Sequence, residues 1–142
     1  MNWRQYEQQI FDLFKKLYPE GELLFDQQVE GRHSRILRQV DILIRYRIVD
    51  IDAIAAFDCK CYERSIDVQT IDYMVGYLED LGARIGGIVT TKGFSEGAKN
   101  RASAAQIDLR TIEFQSVEKL VEQFVPSLDF SDPRNSMYIP LL

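Results

Sequence analysis

The sequence predicts an α/β fold in which helices cover a mixed β-sheet. Three observations lead to this prediction. Alternating apolar residues mark strands in the middle of the chain, and apolar residues at helical spacing mark helices on either side. The strands first follow one another directly and then alternate with helices, an order typical of a mixed sheet. With 142 residues, 46% hydrophobic and 27% charged, the chain has the size and composition of one globular domain.

The first half of the chain predicts one helix followed by three strands. The helix, 2–18, has apolar residues at helical spacing and ends at "YPEG". Strands are predicted at 22–30, 38–47 and 53–62, and the second alternates cleanly between apolar and polar residues. The apolar stripe of the helix consists of Trp3, Tyr6, Ile10, Leu13, Phe14 and Leu17, and the apolar face of the second strand consists of Val40, Ile42, Ile44 and Tyr46.

The second half of the chain alternates between helices and strands. A helix at 67–82 is predicted to end at Gly82, and Ser95 is predicted to cap the next helix. The remaining predicted elements are strands at 84–91 and 107–114 and helices at 96–105 and 116–125. Three prolines predict an irregular C-terminal segment, so we expect one domain over 1–125 followed by a tail over 126–142.

One short stretch, "AAFDCKCYE" (55–63), predicts a functional site. It has the pattern of a buried strand, yet Asp58 and Lys60 share one of its faces, and a buried charge is costly unless it is paired or binds a metal. If this strand and the preceding one form a hairpin that turns symmetrically about Val49 and Asp50, Asp41 lies opposite Asp58. Cross-strand neighbours are about 5 Å apart, so this register brings two carboxylates and a lysine together.

From spacing alone, two interpretations of this cluster stay open. Two close carboxylates repel unless a cation lies between them, and Mg²⁺ binds one or two carboxylates together with water and substrate phosphate. A neighbouring lysine could then orient or deprotonate the attacking water, or stabilise charge on the phosphate, which suits phosphodiester hydrolysis. Alternatively, Lys60 forms a structural salt bridge with Asp58 or Asp41 at the end of the sheet.

The motifs around these residues resemble the Mrr-like branch of the PD-(D/E)XK nucleases. "VDILIR" and "AAFDCKCY" match the aspartate strand and the following (D/E/Q)-x-K strand of that family. The segment "VQTIDYMVGYLEDLGARIGGIVTTKGFSEGAKNRA" matches its glutamine-containing helix and the strand and helix after it. The resemblance implies a restriction-endonuclease-like αβββαβ core, which agrees with the element order. It also implies a Mg²⁺-dependent DNA endonuclease, for which we expect that Mn²⁺ can substitute.

The resemblance also implies roles for individual residues. It makes Asp41 and Asp58 metal-binding acids and Lys60 the catalytic lysine. It implies a third metal-binding acid on the first helix, for which Glu7 fits, and it makes Gln69 a residue that lines the site. An alternative stays open for each of the last two residues. Glu7 would instead be an exposed charge at the rim of the apolar stripe. Gln69, which lies opposite the stripe of its own helix, would instead be a surface residue.

The strand that carries Asp58 departs from the family pattern in two places. Glutamate or glutamine is commoner at the position of Asp58, and a basic residue often stands where this chain has Cys61. Cys59 and Cys61 are predicted to point away from Asp58 and Lys60, so we interpret them as buried thiols rather than as metal ligands. The Cys59 carbonyl is the one further metal ligand expected from this strand.

Arginine residues cluster in one segment of an acidic chain. The net charge of −5 argues against a general nucleic-acid binder. However, the segment 32–47 contains five arginines and a single acid, Asp41. We expect Arg32, Arg35 and Arg38 to bind the DNA backbone, and a solvated basic hairpin is the alternative.

Other patterns argue against several classes of protein. No apolar run approaches the ~20 residues that cross a bilayer, and the N-terminus is too polar for a secretory signal, so we expect a cytoplasmic protein with no membrane partner. A single histidine, His33, and the lack of a Gly-x-Ser-x-Gly turn argue against a Ser-His-Asp hydrolase. Tyr73 and Tyr77 are interpreted as helix packing rather than as a base-stacking surface.

The predicted function is therefore a Mg²⁺-dependent endonuclease that hydrolyses phosphodiester bonds in DNA. One alternative is a catalytically inactive nuclease-fold module that binds nucleic acid or a protein. Another is a nuclease that acts on RNA or branched DNA with the same chemistry. A homodimer would supply the two sites that cutting both strands requires.

Overall fold

The computed structural model describes residues 2–114, which form three helices and five strands. In chain order these are α1 (Trp3–Leu17), β1 (Glu22–Glu30), β2 (Leu37–Ile48), β3 (Ile51–Lys60), α2 (Val68–Leu81), β4 (Ile85–Thr90), α3 (Glu96–Ala105) and β5 (Asp108–Thr111). The predicted order of elements is confirmed over these residues. The predicted helix at 116–125 and the tail at 126–142 lie outside the described residues, so the domain boundary at residue 125 stays a prediction.

The ends of the helices are set by capping residues. The Ser95 hydroxyl accepts a hydrogen bond from the amide of Ala98 at 3.2 Å, which makes Ser95 the predicted N-cap of α3. Gly82 ends α2 in the left-handed conformation, with φ 71°, as its position predicts. None of the three described helices is long and apolar enough to span a membrane.

The five strands form one mixed sheet in the order β1-β2-β3-β4-β5. β1, β2 and β3 are antiparallel neighbours, β4 is parallel to β3, and β5 is parallel to β4. Parallel neighbours need crossover connections, which α2 and α3 supply. β3 ends at Lys60 rather than at residue 62 as predicted, because its pairing with β4 stops at Lys60 and Thr90.

β2 and β3 form the predicted symmetric hairpin. Ile48 pairs with Ile51 at the turn, and Ile42 pairs with Phe57 at the far end, so the predicted register is confirmed. The two turn residues, Val49 and Asp50, have φ angles of 49° and 66°. Positive φ at both central residues is the geometry of a type I′ turn, whose twist matches that of the strands.

α1 packs on one face of the sheet. Tyr6 and Phe14 of α1 are buried with Ile44 and Phe57 of the sheet. The rings of Phe14 and Phe57 meet edge to face, with centroids 5.0 Å apart. The prediction that Trp3 belongs to the buried stripe is wrong, since Trp3 is 53% exposed. It is the first residue of α1, one turn before the first buried position.

α2 and α3 pack on the opposite face. Met74 of α2 and Ala98 of α3 are buried in one cluster with Leu43 of the sheet. A Cβ atom at Gly86 of β4 would lie 2.3 Å from the Leu78 side chain, so glycine is needed for α2 to approach the sheet. The two helical layers therefore enclose a sheet that is covered on both faces.

The alternation of β2 breaks at Asp41. Val40 is predicted to share a face with Ile42, but it packs with Leu43 in the cluster on the α2 side, while Ile42 packs in the cluster on the α1 side. Asp26 of β1 lies across from Asp41, between two paired positions, and has a φ of 57°. β1 and β2 are therefore both irregular where Asp26 and Asp41 lie across from each other.

Candidate active site

Asp41 and Asp58 meet where β2 and β3 stop pairing. The last regular pair between these strands is Ile42 and Phe57. Beyond it, the Cys59 amide donates a hydrogen bond to Oδ2 of Asp41 at 2.8 Å. The Asp58 carboxylate lies within hydrogen-bonding reach of Asp41. The structure therefore brings together the two carboxylates that the register predicts to be neighbours.

Burial and repulsion by Asp58 disfavour negative charge on Asp41. Burial raises the pKa of Asp41 above its usual range, and the neighbouring Asp58 raises it further, while the Cys59 amide acts in the opposite direction. Two carboxylates can share a hydrogen bond only if one of them is protonated. A divalent cation between them would remove the need for that proton.

Glu7 of α1 is a third acid at the site. It is only 5% exposed, so the interpretation of Glu7 as an exposed rim charge is wrong. Burial is the main cause that raises the pKa of Glu7 to about 7, followed by the charge of Asp26, and the charge of Asp58 adds to it. The charge of Glu7 in turn raises the pKa of Asp41. Asp26, which no sequence pattern singled out, thus belongs to the same acidic surroundings.

Lys60 is paired with Asp58 and remains positively charged. Its Nζ lies 2.9 Å from Oδ2 of Asp58, and the two side chains are 19% and 24% exposed. Burial lowers the pKa of Lys60, but attraction to Asp58 and the hydrogen bond with it raise it, and the net effect is a raised pKa. A protonated lysine can orient water or stabilise negative charge on a phosphate. It is poorly suited to remove a proton from water at neutral pH.

The oxygen atoms of this site suit a hard divalent cation. Within residues 2–114, no three Asp, Glu, His or Cys side chains converge closely enough to surround an ion. The Asp41 and Asp58 pair nevertheless supplies the one or two carboxylates that Mg²⁺ uses when water and substrate phosphate complete its coordination. A cation beside Asp41 would also offset the burial and the repulsion by Asp58 that raise the pKa of its carboxyl.

Gln69 lies beside Lys60 rather than among the carboxylates. It is an exposed residue in the first turn of α2. Gln69 and Lys60 both line a cleft of about 600 Å³, and Asp41 and Asp58 are not among the described residues that line it. Gln69 is therefore at the surface, as one interpretation has it, but next to the lysine of the site.

Two of the three arginines that are predicted to bind DNA have partners within the chain. Nε of Arg38 lies 2.9 Å from Oδ2 of Asp80. Nε of Arg32 donates to the carbonyl of Glu79 at 2.8 Å, near the C-terminal end of α2. Arg35 is exposed and has a φ of 63°. Arg32 and Arg35 in the loop between β1 and β2, and Arg38 at the start of β2, are therefore held in different ways.

Asp80 of α2 organises this loop, although no sequence pattern singled it out. It is 5% exposed, and its carboxylate accepts hydrogen bonds from the His33 amide, the Ser34 amide and hydroxyl, and Arg38. The bonds from Ser34 are the largest cause that holds the pKa of Asp80 well below its usual range. A Cβ atom at Gly31 would lie 2.0 Å from the Asp80 carboxylate, so the loop needs glycine there.

Cys59 and Cys61 lie on the α1 side of the sheet; Cys59 is a buried thiol as predicted, whereas Cys61, just past the end of β3, is half-buried. Cys59 is buried in the cluster that contains Phe14 and Phe57, and Cys61 packs against that cluster. Burial raises the pKa of the Cys59 thiol well above its usual range, which keeps the thiol protonated and makes it a poor metal ligand. Cys59 therefore serves the site through its backbone amide.

A sequence comparison identifies a family over most of the chain. The family model for the Mrr catalytic domain, described as a restriction endonuclease, matches residues 1–131. A search of curated protein sequences gave no match. The family match includes all five residues predicted for the reaction, which are Glu7, Asp41, Asp58, Lys60 and Gln69.

Solved structures share the fold. A crystal structure of AF1548, described as a protein of unknown function, has a TM-score of 0.62 at 22% identity and covers 84% of this chain and 66% of its own. EndoMS in its apo form has a TM-score of 0.54 at 17% identity, with coverages of 82% and 48%. The MspJI restriction endonuclease in complex with a 27-mer oligonucleotide has a TM-score of 0.54 at 18% identity, with coverages of 85% and 28%.

These likenesses concern the fold and a part of each protein. At identities of 17–22% they show the fold alone, and the predicted restriction-endonuclease-like αβββαβ core with a mixed sheet is confirmed. The chain spans between 28% and 66% of the length of these proteins.

Proposed function

Because the chain belongs to the restriction endonuclease family of the Mrr catalytic domain, we propose that it is a metal-dependent DNA endonuclease. The observation that carries the proposal is the meeting of Asp41, Asp58 and Lys60 where β2 and β3 stop pairing. A pair of acids with an adjacent lysine has the groups that phosphodiester hydrolysis requires. We propose Mg²⁺ as the cofactor and Mn²⁺ as a substitute, since carboxylate and water ligands suit both.

Each residue has a separate role in the proposed reaction. Asp41 and Asp58 hold the cation, and the Cys59 amide fixes the Asp41 carboxylate. When bound, the cation supplies stabilisation of phosphate charge and a bound water of lowered pKa. Lys60, which stays protonated, orients the attacking water or neutralises charge on the phosphate. Glu7, whose pKa is raised to about 7, can accept or return a proton near neutral pH.

The loop between β1 and β2 is the proposed contact with the DNA backbone. Arg35 is exposed on it, while Asp80 and the end of α2 hold the loop in place through Arg38 and Arg32. Phosphate contacts of this kind position a protein on DNA without reading its sequence. Cutting both strands requires two sites, so we also propose that two copies of the chain act together on duplex DNA.

A catalytically inactive binding module is the second candidate. Two observations favour it. Lys60 forms a salt bridge with Asp58, and among the described residues no three acids lie close enough together to hold a metal ion by themselves. Such a module would keep the fold and a basic loop but would bind DNA, RNA or a protein without cleaving anything.

A cleavage assay tests both candidates. Supercoiled, linear, single-stranded and branched DNA, and RNA, are incubated with wild type and with Asp58→Asn in Mg²⁺, Mn²⁺ or EDTA. We expect wild type to cleave DNA with either metal, and we expect no cleavage in EDTA or by the variant. Nicked products alone would contradict two copies acting together. DNA binding without cleavage in any metal would favour the inactive module, and cleavage in EDTA would contradict the metal-dependent reaction.

A further inference from the structure

The cleft beside Lys60 shares that lysine with the proposed site of hydrolysis, but its other lining residues have no role in that reaction. Its volume is about 600 Å³, and it is lined by the connection from β3 to α2 and by the N-terminal half of α2. This size lies within the range of about 300–1,000 Å³ that is usual for ligand pockets. Two of its lining residues are aromatic, Tyr62 and Tyr73, and the amide of Gln69 adds a hydrogen-bonding group.

Tyr73 presents a supported aromatic surface to this cleft. Its ring stacks on that of Tyr77, with centroids 5.9 Å apart and planes 21° apart. Tyr77 is 6% exposed, and its hydroxyl donates to the carbonyl of Gln39 at 2.6 Å, so the supporting ring is anchored.

Tyr73 differs from Tyr77 in how much of its ring is exposed. Tyr77 is buried, which confirms the packing interpretation for that residue, but Tyr73 is 59% exposed although Tyr77 covers one face of it. Tyr73 therefore packs on its helix neighbour Tyr77, and the rest of its ring is exposed. The remaining surface of the ring has room for another planar group, which would continue the stack.

Tyr62 connects the cleft to the reactive lysine. Nζ of Lys60 lies 3.4 Å from the Tyr62 hydroxyl and 5.3 Å from the centre of its ring. The same Nζ is 2.9 Å from the carboxylate of Asp58. The hydroxyl of Thr91 donates to the Tyr62 carbonyl at 2.8 Å, which holds this part of the connection against β4. A molecule in the cleft would therefore lie next to the proposed reaction centre.

We propose that this cleft binds one unpaired DNA base beside the scissile phosphate, so that the substrate is DNA with unpaired or single-stranded nucleotides. The inference rests on the proposed nuclease function. The occupant has to be planar to stack on Tyr73, carry polar groups at its edge for Gln69, and be joined to a phosphate near Lys60. A nucleobase on a DNA strand meets all three requirements. Arg64, an exposed residue that also lines the cleft, is placed to contact a neighbouring phosphate.

The stacking requirement decides between paired and unpaired DNA. Inside a duplex, both faces of each base are covered by its neighbours, so only a base outside the stack can lie against Tyr73. Taking a base out of an intact duplex costs free energy, and the cost is least where the base is mismatched or already single-stranded. Mismatched, gapped or branched DNA should therefore be cleaved in preference to perfect duplex.

DNA that contains the fluorescent base 2-aminopurine tests the cleft without cleavage. Two oligonucleotides differ only in whether one 2-aminopurine is paired or unpaired, and binding is measured in EDTA. We expect tighter binding of the unpaired form and quenching of its fluorescence by stacking. Tyr73→Ala should weaken that binding by about 5- to 150-fold, the range found when a base-stacking aromatic is removed. It should also abolish the quenching, whereas Tyr73→Phe should keep both effects.

A matched control is Trp3→Ala, which removes an exposed aromatic residue of α1 that does not line the cleft. It should change neither binding nor quenching. Equal losses in Trp3→Ala and Tyr73→Ala would overturn the assignment of the cleft. Melting temperatures of all three variants verify that they are folded, which the exposure of both rings favours.

Cleavage of the same two oligonucleotides in Mg²⁺ separates this inference from the proposed function. Preferential cleavage of the unpaired form by wild type, lost in Tyr73→Ala, supports both. Cleavage without any preference, together with unquenched fluorescence, would overturn the cleft assignment and leave the nuclease intact. Quenching that depends on Tyr73, with no cleavage of any substrate, would support the cleft and overturn the nuclease.

Discussion

The carboxylate of Asp41 accepts a hydrogen bond from the backbone amide of Cys59, at 2.8 Å, just beyond the last regular pair of β2 and β3. This bond has two consequences. It satisfies the Cys59 amide, which lies past the end of the pairing between β2 and β3. It also orients the Asp41 carboxylate, which lies within reach of Asp58. The side chain of Asp41 therefore contributes both to the fold and to the proposed chemistry.

Substitutions of Asp41 should separate these two contributions. Asp41→Asn keeps an oxygen that can accept the Cys59 bond but removes the charge. We expect its metal-free form to be at least as stable as wild type, because repulsion with Asp58 is gone, and we expect Mg²⁺ no longer to raise its melting temperature. Asp41→Ala should have a free energy of unfolding about 1–3 kcal/mol lower than that of Asp41→Asn, since the Cys59 amide is left unpaired.

Thermal melts of both Asp41 variants, with and without Mg²⁺, provide the measurement. An Asn variant as unstable as the Ala variant would mean that the charge, rather than the hydrogen bond, holds this part of the sheet together.

Lys60→Ala should affect the cleavage rate far more than the stability. Its salt bridge with Asp58 is partly exposed, so its contribution to the free energy of unfolding should be about 0–1 kcal/mol. Removal of the group that orients water or stabilises phosphate charge should lower the rate by about 10²-fold or more. Single-turnover cleavage and urea unfolding measure the two effects.

Arg101→Ala is a matched control for Lys60→Ala. It breaks another partly exposed salt bridge, between Arg101 and Asp72 at 2.9 Å, and should leave the rate unchanged. If Lys60→Ala lowered the free energy of unfolding by about 3 kcal/mol, and wild type showed no metal-dependent cleavage, the salt bridge between Lys60 and Asp58 would be structural instead.

Glu7 should make the metal-free protein less stable as the pH rises. Its pKa is raised from 4.5 to about 7, mainly by burial. An acid whose pKa is higher in the folded state stabilises the fold fully below its unfolded pKa, and this contribution is lost as the pH rises through the folded pKa. Glu7→Gln should therefore flatten the fall in stability between about pH 4.5 and about pH 7.

The measurement is the urea midpoint as a function of pH in EDTA, for wild type, Glu7→Gln and the exposed-acid control Glu22→Gln. Mg²⁺ should reduce the fall in wild type, because a cation offsets the charge that appears on the neighbouring acids. Identical profiles for wild type and Glu7→Gln would show that Glu7 is not the group that titrates.

The hairpin was predictable because its register depends on local pattern. Residues alternate with period two along both strands, and a symmetric turn at Val49 and Asp50 leaves a single register that buries the apolar residues. That register places Asp41 beside Asp58. The break at Asp41 was not predictable, because Val40 changes sides where β2 leaves β3, and periodicity assumes regular strands.

Buried acids were the features that patterns of apolar residues could not identify. Helical spacing places Glu7 at the border of the apolar stripe, but spacing alone does not distinguish a covered carboxylate there from an exposed one. Asp80 is 42 to 47 positions away in sequence from the residues that donate hydrogen bonds to it, in the β1–β2 loop and at the start of β2. Only the packing of α2 beside that loop brings Asp80 and its hydrogen-bond donors together, and no local sequence pattern indicates it.

Arg35 and Arg38 should respond differently to substitution, although both are predicted to bind DNA. Arg35 is exposed, so Arg35→Ala should weaken binding to all DNA sequences alike and reduce the slope of log K against log salt by about one. Its melting temperature should not change. Arg38→Ala should also lower the melting temperature, because the buried Asp80 loses its charged partner.

Binding isotherms over a range of salt concentrations measure the slopes. Arg47→Ala, which removes an arginine from the β2–β3 hairpin, is the control and should leave the slope unchanged. An unchanged slope in Arg35→Ala would place the phosphate contacts on another surface.

The turn of the β2–β3 hairpin should be strained. Val49 has a φ of 49° and is 88% exposed, and a β-branched residue rarely adopts this conformation. Replacing Val49 by Asn and Asp50 by Gly, the pair preferred in a type I′ turn, should raise the free energy of unfolding by about 1–2 kcal/mol. Urea unfolding measures the gain.

The same double variant also tests whether the hairpin tip has a function. The turn lies at the opposite end of the hairpin from the level of Asp41 and Asp58, so cleavage should be unchanged. No gain in stability would mean that the turn is not strained. A gain in stability with a loss of cleavage would instead mean that the strained conformation of Val49 is kept because the tip contacts the substrate, since backbone strain persists where a function requires it.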